Sequence, residues 1–259
     1  MGKRVIEVNK LNFSYGETPV LQDCSFSIEE NTITVLLGAN GAGKSTLFAC
    51  LMKQLKIDHK SVMIDSIPLE NMNLKELSRI MSFVPQINAV NNLDCMVRDY
   101  LVEGRTPYLN SFSIPGKKEY LISEKYASLV GISHLLSKNI QHLSGGELQL
   151  VLIARALVQE TPIILMDEPM SALDLGNQAK ILKLIQELQM HNKTILFSSH
   201  NPNHAFALNG NVCMIKDGST IAFGNAAFCI TQENLYELYG ENIILRHVGD
   251  CRTCMLSLG

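Results

Sequence analysis

Nowhere in this chain of 259 residues does an apolar run reach the roughly 18–20 residues a membrane-spanning helix needs, so it is not expected to cross a bilayer unaided. Neither sign of charge dominates: 22 basic residues stand against 25 acidic ones, a net of −3. That balance excludes the electrostatic footprint of a nucleic-acid binder. The opening MGKRVIEV lacks the apolar core of a signal peptide, and position 6 lacks the Ser or Thr of a myristoylation signal. Repeats, low-complexity tracts and coiled-coil heptads are likewise missing. Seven cysteines scattered through a chain without an export signal read as reduced thiols, not as a disulfide framework. These absences predict a soluble cytoplasmic protein. What is present is a 46% apolar content, which suits one large core, or one core with a smaller inserted lobe, and excludes disorder.

The opening segments RVIEVNKLNFSY and VLQDCSFSIE alternate apolar and polar residues around Gly16 and Pro19, which predicts an antiparallel pair. TITVLLG is continuously apolar, as expected of a strand buried on both faces. A helix is expected from Lys44 to about Leu55. Asn73 and Glu76 form a capping box for NLKELSR, ahead of the strand IMSFV. Residues 87–142 are more polar, with loop material around SFSIPGKK and a helix over Glu119–Val130 that stops at Gly131. This stretch reads as a mainly helical lobe inserted into an α/β core. The core resumes with a helix over Gly146–Gln159 and the strand IILMD. A helix with Ile181, Leu184, Ile185 and Leu188 on one face follows, and then the strand TILFSS. VCMIKDGSTIAF is a hairpin turning at Asp217-Gly218. Strands alternating with helices predict an α/β fold with a mostly parallel, helix-covered sheet.

GANGAGKST, residues 38–46, fits the G-x-x-x-x-G-K-[ST] pattern between a buried strand and a helix. Gly38, Gly41 and Gly43 let the backbone approach phosphates closely, and Asn40 and Thr46 complete the loop. Lys44 brings a point charge to the β- and γ-phosphates, and the Ser45 hydroxyl can ligate Mg²⁺. IILMDE places Asp167 and Glu168 at a strand's carboxyl end, where α/β sheets bind ligands. Asp167 can join the Mg²⁺ shell, and Glu168 is the candidate general base toward water. Gln86 ends its strand within reach of the metal or the water, and His200 ends TILFSS within reach of a γ-phosphate. Asp174 follows the two carboxylates in SALD. Tyr15, in FSYG, either stacks on adenine or packs into the core.

LSGGE, residues 143–147, raises a separate question, because Ser144, Gly145 and Gly146 open a helix whose bare N–H groups form a second anion site. Such an end contributes about 0.3–1 kcal/mol to an exposed anion, too little to hold a nucleotide alone. It must therefore assist a nucleotide anchored elsewhere. We expect the LSGGE of one copy to cap the γ-phosphate on the P-loop of a second copy, two molecules enclosing two ATPs with two-fold symmetry.

In order, FSYG, GANGAGKST, VPQ, LSGGE, IILMDEP, SALD and SSH resemble the motifs of the ATP-binding cassette ATPases over residues 3 to 240. The resemblance implies a RecA-like P-loop core, an antiparallel β-subdomain and an inserted mainly α-helical subdomain in one domain, residues 1–240, followed by a C-terminal extension, 241–259. It also implies ATP and Mg²⁺ as cofactors. The family's roles map onto Tyr15, Lys44, Ser45, Gln86, Ser144, Gly146, Asp167, Glu168, Asp174 and His200. SFVPQ, VEGRTPYL, LSGGELQLVLIARAL and SHNPNHAF are similar to importer subunits for iron chelates, haem, cobalamin and molybdate. Leu150, Met170 and Asn201 depart from that pattern, where Arg, Thr and Asp are usual. The implied partners are a second copy, integral membrane permease subunits bound through residues 87–109, and indirectly a solute-binding protein. The implied location is the inner face of the membrane. An exporter ATPase, an iron–sulfur assembly type ATPase and a nucleotide-gated protein without turnover remain alternatives. The C-terminal RHVGDCRTCMLSLG, with His247, Cys251 and Cys254, is expected to be a poorly ordered tail, or else half of a metal site.

Overall fold

A computed structural model describes residues 2–87, 94–110, 113–171, 173–240, 243–249 and 251–256. In chain order, β1 (Arg4–Tyr15), β2 (Thr18–Glu29), β3 (Ile33–Leu37) and α1 (Lys44–Leu51) come first. There follow β4 (Val62–Ile64), β5 (Ile67–Pro68), α2 (Leu74–Ile80), β6 (Met81–Val84), α3 (Val97–Val102), α4 (Lys117–Val130) and α5 (Gly145–Val158). Next are β7 (Ile163–Met166), α6 (Leu175–Met190), β8 (Thr194–Ser199), α7 (Asn203–Leu208), β9 (Asn211–Lys216) and β10 (Ser219–Asn225). The chain closes with α8 (Ala226–Cys229), α9 (Gln232–Tyr239), β11 (Ile243–Val248) and β12 (Cys251–Leu256). It falls into two compact units, Met1–Asn73 with Ile185–Gly259, and Leu74–Leu184.

In the first unit, β1 and β2 pair antiparallel, as their alternation predicts, and β4 and β5 extend that sheet in the order β2-β1-β4-β5. The sequence reading missed β4 and β5, which are three and two residues long. The turn between them is Asp65-Ser66, where both residues take positive φ (51° and 65°), a primed hairpin geometry. A second sheet carries β10-β9-β3-β8, with β3 parallel to both β8 and β9. Every residue of β3 and β8 is buried, as the continuous apolar run of β3 predicts. β9 and β10 turn at Asp217 (φ 46°) and Gly218 (φ 80°), where the Asp-Gly pair predicts a primed turn.

Helix α1 is shorter than expected. It stops at Leu51, because Lys53 turns left-handed (φ 57°) and the Gln54 N–H reaches back to Ala49 O at 2.9 Å. The Lys53 ammonium then bonds the carbonyls of Glu70 and Met72 and holds the turn in place. The C-terminal segment also corrects its expectation. It is no loose tail: β11 and β12 pair antiparallel from Ile243↔Leu256 to Val248↔Cys251.

In the second unit, β6 and β7 pair in parallel, from Met81↔Ile163 to Val84↔Met166. The described residues of the stretch marked as a helical lobe carry α3, the tight turn Glu103–Tyr108, α4 and the short turns Ser133–Leu135 and Ile140–His142. Helix α4 ends at Gly131 in the left-handed region, as predicted. The turn Glu103–Tyr108 is fastened by Arg105, whose guanidinium donates to Val158 O and Glu160 Oε2, both at 2.9 Å. That ties it to the end of α5. Among the described residues no helix is long and apolar enough to cross a membrane.

Candidate functional site

In the first unit the loop after β3 is shaped by its glycines. A Cβ on Gly38 would lie 2.7 Å from Ile215 O, so no larger residue fits where the chain leaves the strand. Gly43 sits at φ 98°, and its Cβ would meet Leu21 and Val20 O within 3.0 Å. Gly43 caps α1 without any side-chain hydrogen bond, and the first turn contains no acidic residue. The leading N–H groups of α1 thus keep their positive end undisguised. Lys44 is buried, and its ammonium donates to Gly38 O (2.9 Å) and Ala39 O (3.0 Å). Asn40, Gly41 and Ser45 are exposed and Thr46 is half-buried. Glycine-lined backbone, a helix N-terminus and a buried ammonium together make an anion cradle.

Two further predicted residues lie beside that cradle. β3 and β8 are in register with Leu37 opposite Ser199, so Gly38 and His200 leave the same end of neighbouring parallel strands. Tyr15 pairs with Thr18 at the turn end of the β1–β2 hairpin, with Thr18 two residues from Val20, whose carbonyl lies against Gly43. Its ring is 54% exposed, with Phe13 edge-on at 4.9 Å. The core reading of Tyr15 therefore fails, and the ring offers a face to a ligand.

In the second unit, Asp167 and Gln86 leave the carboxyl ends of β7 and β6, and the Asp167 N–H donates to Val84 O at 2.9 Å. Asp167 is buried and Gln86 half-buried. Glu168 takes φ 46°, a conformation that costs a non-glycine residue about 1–3 kcal/mol and is characteristic of functional turns. Its carbonyl accepts from the Ser171 N–H (3.2 Å) and hydroxyl (3.1 Å), which hold the turn.

Helix α5 starts one residue earlier than expected, at Gly145, with Ser144 as its cap. Ser144 and Glu147 form a reciprocal box: the Glu147 N–H donates to Ser144 Oγ (3.3 Å), while Glu147 Oε2 accepts from the Ser144 N–H and hydroxyl (2.9 Å each). Those bonds, together with Lys138 at 3.2 Å, hold the Glu147 carboxyl down at about 2. The box commits the Ser144 hydroxyl, so an anion at this end meets the N–H groups of Gly145 and Gly146, which have no acceptor within the helix. A Cβ on Gly146 would lie 3.4 Å from Leu173, so this end adjoins the SALD segment. Asp174 itself caps α6: Oδ1 accepts the Asn177 N–H (2.9 Å) and Oδ2 its amide (2.8 Å). The Asn177 N–H is the main reason its carboxyl lies below the usual range.

The predicted residues therefore form two groups. Tyr15, the 38–46 loop and His200 belong to the first unit; Gln86, Ser144–Gly146, Asp167, Glu168 and Asp174 belong to the second. Of the 87–109 segment expected to meet a permease, residues 88–93 lie outside the described residues.

Residues 21–171 match the sequence profile of the ABC transporter family. The chain is 34% identical over 243 residues to an uncharacterized ABC transporter ATP-binding protein of Haemophilus influenzae, covering 94% of this chain and 92% of that protein. It is also 34% identical over 240 residues to a Helicobacter pylori ATP-binding protein named for iron chelatin transport, covering 91% and 92%. Among solved structures, an inward-facing transporter assigned to the metal-chelate type superimposes with a TM-score of 0.83 at 28% identity, over 98% of this chain and 97% of that one.

Proposed function

The chain belongs to the ABC transporter family and is one of its ATP-hydrolysing ATP-binding proteins, and from that premise we propose that it powers import of a metal chelate or related small solute through separate membrane subunits. The observation that carries the ATPase reading is the cradle of Gly38, Gly43 and Lys44 at the bare end of α1. The name of the Helicobacter relative, for iron chelatin transport, supports a metal-chelate transport role over the assembly reading.

In this reading the α1 N–H groups and Lys44 bind the β- and γ-phosphates and Tyr15 stacks on the base. Ser45, Gln86 and Asp167 offer hydroxyl, amide and carboxylate oxygens, the hard donors that suit Mg²⁺. The ion, when bound, neutralises charge on the phosphate oxygens. Glu168 takes the proton of the attacking water, Gln86 helps to orient that water, and His200 meets the γ-phosphate. Gly145 and Gly146 of a second copy present their N–H groups to the same phosphate, so the working form is a head-to-tail dimer. Asp174 enters only as the cap that fixes the segment after Glu168.

We assign residues 1–240 to one ATPase domain with a helical lobe at about 87–142, and 241–259 to a C-terminal extension. The chain then sits on the inner face of the membrane through its permease, with a solute-binding protein acting at one remove. A groove of about 650 Å³ in the second unit suits the permease contact. Leu74, Lys75, Glu103, Pro107 and Leu109 line it, and the last three lie in the expected coupling segment.

Glu168→Gln tests the chemistry. It should slow hydrolysis by about 10²–10⁴ while leaving ATP bound, and should accumulate an ATP-loaded dimer visible by light scattering. Unaltered turnover would remove Glu168 from the base role. Import itself is tested by co-purification with two membrane-spanning subunits and solute-stimulated ATPase in proteoliposomes.

A further inference from the structure

His200 heads a short turn, His200–Asn203, that leads from β8 into α7, and part of its support is local. The Asn201 N–H donates to the Ser199 hydroxyl oxygen at 3.0 Å, and that oxygen lies 2.9 Å from His204 Nδ1. His204 is buried.

The rest of the support comes from the far end of the chain. Tyr239, the last residue of α9, donates its hydroxyl to the His200 carbonyl at 3.0 Å. Burial raises this phenol well above its ordinary value, so it remains a donor throughout the working pH range. Asn203 clasps two residues of β12: its Nδ2 donates to Cys254 O (3.0 Å) and its Oδ1 accepts the Cys254 N–H (2.7 Å) and the Thr253 hydroxyl (3.2 Å). On the opposite edge of the ribbon, Gln232 of α9 does the same for β11. Its Nε2 donates to Ile243 O (2.9 Å) and its Oε1 accepts the Leu245 N–H (2.8 Å). The Arg252 guanidinium adds a bond to Ala227 O.

A two-stranded ribbon is marginal in water by itself. Here each outer edge is closed by a side-chain amide that copies the hydrogen bonds of a missing strand. One amide stands three residues after His200. The other stands on the helix whose last residue holds the His200 carbonyl. The ribbon, α9 and the His200 turn are thus one hydrogen-bonded assembly, although they are far apart in sequence.

We propose that α9 and the β11–β12 ribbon brace the main chain of His200, with Tyr239 and Asn203 as positioning residues for ATP hydrolysis. This rests on the reading of His200 as the group that meets the γ-phosphate. A brace acts on turnover and not on ATP capture, because the bonds of the P-loop to phosphate do not involve it. Displacing a reacting group by about 1 Å can cost up to 10²-fold in rate, and one hydrogen bond lost from its support should cost less.

The test uses the full-length chain with Tyr239→Phe, which removes one hydroxyl and keeps the ring, and with Asn203→Ala beside Asn203→Asp, which keeps the acceptor for the Cys254 N–H. Tyr239→Phe and Asn203→Ala should each lower kcat by roughly tenfold, with KM for ATP unchanged. Asn203→Asp should recover part of the loss. Amide hydrogen exchange should quicken at residues 199–203 and in the ribbon while β3 stays protected. Unchanged kcat in both variants overturns the brace, whether or not exchange in the turn quickens. So does a fall in kcat matched by a rise in KM or by exchange spreading into β3. His200→Ala separates the two levels. Full turnover in that variant sinks the reading of His200 itself, whereas its loss together with wild-type kcat in Tyr239→Phe and Asn203→Ala sinks only the brace.

Discussion

Lys44 spends its ammonium on two carbonyls of its own loop, so an arriving phosphate competes with main-chain oxygens for a charge that is already in place. The side chain is ordered before binding, which lowers the entropic cost of using it. Residue types and spacing made this part of the site legible, since the motif requires a lysine there whatever the surrounding fold. Tyr15 was not legible in the same way. An aromatic at the end of an alternating strand can face either way, and only the position of its hairpin end beside Gly43 puts the ring outside. If the ring stacks on the base, Tyr15→Ala should weaken ATP binding by roughly 5- to 150-fold, the equivalent of about 1–3 kcal/mol, while Tyr15→Phe binds as the wild type does. Competition with a fluorescent nucleotide reads both, and an Ala variant of undiminished affinity would take Tyr15 out of the site. Asp174 is the opposite case. Its sequence position suggested a ligand contact, and what the structure adds is a cap: each of its oxygens accepts a hydrogen bond from Asn177 at the head of α6.

At the scale of elements, α5 shows how one capping box can serve two ends. Ser-x-x-Glu at 144–147 was present in the sequence, and the box it forms starts the helix at Gly145 and leaves the two glycine N–H groups facing outward. The Glu147 carboxyl is held at about 2 in the folded chain, against 4.5 when unperturbed. A depressed folded value means that its contribution is complete above about pH 4.5 and is lost as the pH falls toward 2. Glu147→Gln should therefore flatten the fall in stability across that acidic window and leave the pH dependence above it unchanged. Thermal melts of both proteins at pH 6, 4 and 3 would show it; curves that stay parallel throughout would refute the assignment. The ribbon β11–β12 is the element the sequence concealed. RHVGDCRTCML has weak alternation, and its edges are closed by Gln232 and Asn203, residues too remote for any local pattern to connect.

For the whole molecule, the proposed head-to-tail dimer rests on the second anion site. The end of α5 contributes too little to hold a nucleotide alone, and in that proposal a P-loop supplied by another copy completes the site. Specific ATPase activity should then rise with protein concentration at low dilution, because only the dimer completes a site, and should level off once dimers dominate. A verified monomer with constant specific activity over a hundredfold dilution would remove the dimer from the mechanism.

The sequence by itself determined the chemistry: which residues carry charge, oxygen and glycine, and in which order along strands and helices. It could do so because these motifs depend on contacts within a few residues, strand to loop to helix. Only the tertiary structure decided that Tyr15 is exposed, that Asp174 is a cap, and that the strands Ile243–Val248 and Cys251–Leu256 fold back onto the His200 turn. Each of these depends on which distant segments become neighbours, and that is set by packing and strand register, not by the local pattern of the chain.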